Sequence, residues 1–115
     1  MDREQAARQN HRGSYNCAQS VYAAYADLLG LAPGDALRQA PRPRSEGGKC
    51  GAFLAGRAIL QRLKPEAIPA YEQAFTAANG KPECARLVMA HGRLNKSCND
   101  YVGDAARLVT RALAE

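Results

Sequence analysis

The chain has 115 residues, of which 46% are apolar, and a net charge of +5. That size suits one domain with a core of its own, and the apolar share argues against disorder. No segment reaches the ~20 consecutive apolar residues of a membrane span, and the charged run from Met1 to Arg12 lacks the apolar stretch of a signal peptide. A cytoplasmic protein is therefore expected, in a compartment that keeps thiols reduced.

Alanine is abundant, β-branched residues are few and Trp is absent, a balance that favours helix over strand. The expected architecture is all-α, a single small domain of four to five helices. Residues 1–13 read as a frayed tail and residues 14–115 as a helical four-cysteine domain.

The first helix is expected over Asn16–Leu29, with Cys17, Val21, Ala24, Tyr25 and Leu28 on one apolar face. Ser14 or Asn16 can cap it and Gly30 can end it. A short turn of helix follows from Pro33 to Ala40. Pro41 to Gly48 holds two prolines and two glycines and reads as a loop, whose Gly47 and Gly48 suit a close approach of backbone to a bound group.

The second helix is expected from Cys50 to Lys64, with Ala52, Phe53, Gly56, Ile59, Leu60 and Leu63 inward and Pro65 as its stop. The third runs from Glu66 to Ala78, with Ile68, Tyr71, Phe75 and Ala78 inward. Pro82 is a favoured first helical position and starts the fourth, along which Cys84, Leu87, Val88 and His91 share a face. The fifth, Cys98 to Ala114, carries the clearest stripe: Cys98, Tyr101, Val102, Ala105, Leu108, Val109 and Ala112, with Ser97 as cap.

Charge is uneven along the chain. Residues 38–64 carry +6, against −1 for residues 1–37 and zero for residues 65–115. The basic stretch suits either a solvated face or a negatively charged partner. Aromatic residues are not interleaved with it, which disfavours nucleic acid.

Cys17, Cys50, Cys84 and Cys98 contain no Cys-x-x-Cys pair. That spacing removes the thioredoxin motif, the zinc knuckle and the clustered ferredoxin pattern. All four fall in the first turn of an expected helix, where free N–H groups and the helix dipole favour a thiolate. Helix starts that converge would line an electropositive pocket with four sulfurs. Gly51 and Ala52 would support it through backbone N–H groups, as Gly47 and Gly48 would through the loop.

Gly47-Gly48-Lys49-Cys50-Gly51-Ala52, preceded by Asn16-Cys17-Ala18-Gln19-Ser20-Val21 and followed by the lone Cys84 and Cys98, resembles a bacterial and archaeal family. It is the family of redox-active proteins named for the pattern C_GCAxxG_C_C, and the likeness covers roughly residues 14–112. Family members usually carry Gly five residues after the second cysteine, where this chain has Ala55, with Gly56 one place later. The resemblance implies a helical domain whose functional cysteines are Cys17, Cys50, Cys84 and Cys98. A similar module occurs in split-Soret cytochromes beside an iron–sulfur cluster. No single reaction is attached to the family.

Other candidates are weaker. His91 lies seven residues beyond Cys84 and is a possible ligand, though such a histidine more often caps its own helix. Asp100 and Asp104 suit the start of the last helix, with Arg107 a partner for Asp104, better than acid–base work.

The leading expectation is an electron-transfer or redox-sensing protein with the four cysteines as ligands of an iron–sulfur cluster, [2Fe–2S] ahead of [4Fe–4S]. A metal-free thiol–disulfide protein and a zinc-binding structural or interaction module are the alternatives. A redox partner protein is implied, and the small domain suits a homodimer.

Overall fold

The computed structural model describes residues 2–115. Among them the chain forms ten helices and one 3-10 turn, and no strand. The helices are α1 (Arg3–Arg12), α2 (Cys17–Ala23), α3 (Ala26–Leu29), α4 (Pro33–Gln39), α5 (Ser45–Gly48), α6 (Gly51–Leu63), α7 (Ile68–Asn79), α8 (Cys84–Met89), α9 (His91–Leu94) and α10 (Cys98–Ala114). None is long and apolar enough to cross a membrane.

The all-α expectation holds, and the count of four to five helices does not. Three expected helices are subdivided or trimmed, each for a local reason. The first breaks between α2 and α3, where the Tyr25 N–H bonds to the Tyr22 carbonyl three residues back at 3.1 Å and tightens the turn. Pro65 to Ala67 form the 3-10 turn before α7. The fourth starts at Cys84 because residues 82 and 83 are held extended: Lys49 and Glu83 form an isolated antiparallel bridge, and the Cys50 N–H bonds to the Pro82 carbonyl at 2.8 Å. Its C-terminal part becomes the separate turn α9. The loop from Pro41 to Gly48 contains α5, an irregular turn with positive φ at Glu46 and Gly47.

The core lies where α10, α6, α2 and α7 meet. Tyr101, Val102, Ala105, Leu108, Val109 and Ala112 of α10 are all buried, as are Ala52, Phe53, Ile59 and Leu60 of α6. Phe53 stacks on Tyr71 at 5.7 Å and meets Phe75 edge-on at 5.1 Å. Three buried tyrosine hydroxyls donate to backbone carbonyls of other elements: Tyr25 to Ala106, Tyr71 to Phe53 and Tyr101 to Leu87. Each thus fixes one helix against another at no cost in unpaired polar groups. Leu28, Leu63 and Val88, assigned from periodicity to apolar faces, are exposed, and Asn79 rather than Ala78 closes the buried side of α7.

The largest difference lies at the N-terminus. The segment expected to fray is a helix, α1, docked on α10 and α2 with Ala7 fully buried. Its anchors are guanidinium groups. Arg8 bridges Glu4 at 3.0 Å and Asp100 at 2.9 Å, while Arg3 pairs with Asp27 and donates to the Ala24 carbonyl. Arg8 lies across Gly103, where a side chain would occupy the space of its guanidinium. Gly103→Val is therefore expected to push the Arg8 guanidinium aside and cost its ion pair with Asp100. Amides of α1 should then exchange faster while those of α6 stay protected, and the unfolding temperature should fall by a few degrees.

Before α10 the chain turns through Asn95 at φ +54°. Lys96 pins this turn by donating to Asn79 at 2.7 Å and Asp104 at 2.9 Å. The first turn of α10, and Cys98 with it, is thereby fixed against the end of α7.

Candidate functional site

Each cysteine stands at a helix start. Cys17 follows the Asn16 cap, whose side chain accepts from the Gln19 N–H at 2.8 Å while Gln19 reaches back to the Asn16 N–H at 3.1 Å. Cys50 is itself the N-cap of α6. Cys84 opens α8, and Cys98 opens α10 behind the reciprocal cap of Ser97 and Asp100. All four are free thiols: Cys50 is buried, Cys17 and Cys84 are half-buried and Cys98 is exposed. The inward orientation expected for Cys98 from its stripe is thus not met.

Cys17 and Cys50 form an inner pair. The Cys50 thiol shares its proton with the Cys17 sulfur, and the backbone N–H groups of Ala18, Gly51 and Ala52 also favour negative charge there. Against the opposing effect of burial, these contacts lower the Cys17 thiol from 9.0 to about 6. Cys50 moves the other way. It is the proton donor to Cys17 and the more deeply buried of the two, so its thiol is raised. The two opposed shifts favour negative charge on Cys17 and a proton on Cys50.

Gly51 explains how the sulfur comes so close to the start of α6. A Cβ at that position would lie 2.5 Å from Cys17 Sγ and 3.1 Å from Cβ and Cγ of Pro43. Only glycine lets the backbone present its N–H groups to the sulfur at this range. Gly47 and Gly48 do something else: with φ of +79° and +80° they shape the turn before Lys49, and a Cβ on Gly48 would meet nothing within 4 Å.

Cys84 and Cys98 form an outer group. Burial raises the Cys98 thiol, and negative charge on Cys84 and then on Cys17 raises it further, so both of those sulfurs lie within electrostatic reach of Cys98. His91 shares no contact with Cys84. Its Nε2 stands 3.8 Å from Cys98 Sγ, and its ring leans on Tyr101 at 5.5 Å. The break between α8 and α9, which redirects the chain, carries no mark in the sequence strong enough to show that pairing. Asp100 and Asp104 serve structure: Asp100 caps α10 and pairs with Arg8, and Asp104 pairs with Lys96 and Arg107.

As grouped, the side chains do not make the ligand sphere of a single metal ion: among the described residues no three His, Cys, Asp or Glu stand together as such a sphere requires. Zinc would need three or four donors at about 2.0–2.3 Å from one centre. An iron–sulfur cluster makes a looser demand, because its terminal sulfurs bind different irons and stand farther apart. The donor set, four thiols at helix starts with N–H groups directed at one of them, has the chemistry such a cluster uses.

No curated protein and no solved structure matches the chain. A family described as "Putative redox-active protein (C_GCAxxG_C_C)" matches residues 15–112, which include all four cysteines. This chain, with its inner Cys17 and Cys50 and outer Cys84 and Cys98, belongs to that family of redox-active proteins.

Proposed function

We propose that the chain works as a redox protein through the Cys17–Cys50 pair, which cycles between two thiols and a disulfide. The observation that carries this reading is the free Cys17 sulfur packed against the start of α6 at Gly51, directly beside the buried free thiol of Cys50. The Cys17 thiolate attacks one sulfur of a partner's disulfide, and the partner's other sulfur leaves as a thiolate. Charge on Cys17 is now gone, and with it the repulsion that kept Cys50 protonated. Cys50 gives its proton to the departing thiolate and attacks the Cys17 sulfur. The second partner sulfur leaves, so two electrons have passed from this chain to the partner. A cytoplasmic setting, which keeps thiols reduced, suits a reductant of this kind.

The test is oxidation of the reduced chain with a small neutral disulfide, followed by mass analysis of the proteolytic fragments. A loss of two hydrogens with Cys17 linked to Cys50 is expected. Four thiols still free, or linkages scattered among all four cysteines, would overturn the reading.

A second reading keeps the cluster. Cys17, Cys50, Cys84 and Cys98 would be its ligands, with a [2Fe–2S] centre ahead of a [4Fe–4S] one, and it would supply one-electron transfer. The helix-start position of all four thiols and the N–H groups of Gly51 and Ala52 at the Cys17 sulfur favour it, since such groups stabilise an anionic centre. Anaerobic reconstitution with ferrous iron and sulfide decides the matter: a visible charge-transfer spectrum with bound iron supports the cluster, and colourless protein after reconstitution excludes it.

A further inference from the structure

The open side of the thiol cluster carries apolar side chains that nothing in the fold covers. Cys84 and Val88 stand four residues apart on one face of α8. Val88 is 49% exposed and the adjoining Met89 82%, the largest exposure among the big apolar residues. His91 rests against Cys98, itself exposed, so this apolar surface borders the outer sulfurs directly.

Positive charge flanks it. Arg86 and Arg93, three residues before and four after Met89, are exposed and make no ion pair among the described residues. The bridge between Lys49 and Glu83 brings in the loop that carries Arg42 and Arg44. Of the acidic residues in these two segments, Glu46 is bound to Arg57, which leaves Glu83 alone against these cations. A second copy of the chain meeting this face through a two-fold axis would set the same cations against each other.

We infer that the Val88–Met89 surface with its rim of Arg86, Arg93, Arg42 and Arg44 docks an acidic, disulfide-bearing partner protein and delivers its disulfide to the open side of the thiol cluster. The inference rests on the thiol–disulfide reading above and names the partner's chemistry. An apolar centre framed by charge of one sign gives adhesion from the centre, and orientation and fast encounter from the rim. No step is added to the exchange already described; the face decides which disulfides reach it.

The test uses the reduced full chain and three disulfide probes: a neutral small disulfide, a leucine- and glutamate-flanked peptide disulfide, and its leucine- and lysine-flanked counterpart. At low salt the glutamate peptide should oxidise the chain on the order of ten times faster than the lysine peptide, and the ratio should collapse in high salt. Arg86→Glu with Arg93→Glu should remove most of that ratio while leaving the neutral probe's rate unchanged. Arg111→Glu, near the far end of α10, should leave the ratio intact. Equal rates for the two peptides, or an equal effect of Arg111→Glu, would overturn the docking face while the neutral probe still reacts. A dimer that forms through this face at low salt would overturn it too. A neutral probe that fails to oxidise Cys17 and Cys50 removes the thiol reading, and the docking proposal falls with it.

Discussion

At pH 7 an alkylating reagent should label Cys17 first, with a rate that rises as pH climbs through about 6 and is flat above it. The thiolate is the reacting form, so the rate tracks its fraction. The Cys50 thiol is the largest cause of the low value, and hydrogen bonds to charged groups contribute about 1.5–3 kcal/mol, or about one to two units in acidity. Cys50→Ala should therefore move the midpoint up by about that much. Cys50→Ser keeps a donor, so it should hold the midpoint lower than Cys50→Ala while abolishing the disulfide. A wild-type profile centred near the ordinary thiol value would refute the thiolate assignment. The same shift sets the sign for stability. Because the folded value lies below the unfolded one, ionised Cys17 contributes stability that is complete above about 9 and is lost as pH falls towards about 6. Cys17→Ala should remove that slope from a plot of unfolding free energy against pH.

Gly56→Ala should unfold the protein at a temperature lower by roughly 5–15 °C. A methyl group there would lie within 2.5 Å of Tyr71 Cζ and closer still to the hydroxyl. The ring has nowhere to go: it is 1% exposed, stacked on Phe53, and tied by its hydroxyl to the Phe53 carbonyl at 2.9 Å. Separating α6 from α7 to make room strains the core and breaks that hydrogen bond, at a cost of about 2–4 kcal/mol. The helix propensity gained by replacing glycine returns about 1 kcal/mol at most. Gly92→Ala is the control, since a Cβ there meets nothing within 4 Å and should change the melting temperature little. Equal behaviour of the two variants would show that the Tyr71 contact does not constrain α6.

Ala55, beside Gly56, is fully buried, and the close approach to Tyr71 falls on Gly56 alone.

Local signals are readable where they are chemically redundant. The last helix spans the expected residues because its stripe, its Ser97–Asp100 cap and its length agree. The cysteines at helix starts are readable for the same reason: Asn16, the Gly-Gly-Lys run and Ser97 each mark the beginning of a helix beside a thiol. Features that depend on distant contacts are not readable in this way. The α1 helix has a single buried residue and no apolar stripe, because Arg3 and Arg8 hold it by ion pairs with Asp27 and Asp100. The residue that Arg8 lies over, Gly103, sits in the middle of a helix where its role has no local mark. Likewise nothing between positions 17 and 50 shows that those two thiols meet, and periodicity puts His91 with Cys84, whereas the fold sets it against Cys98.

The meeting of Cys17 and Cys50 joins positions 33 apart, so folding raises the effective concentration of one sulfur at the other. By reciprocity, a bond between them would narrow the unfolded ensemble, worth about 4 kcal/mol for a loop of this length in the chain-entropy account. Surroundings poor in reductant would then yield a chain that resists unfolding and degradation, and reducing surroundings a more perishable one. The lifetime of the protein would carry a record of the redox state it has met.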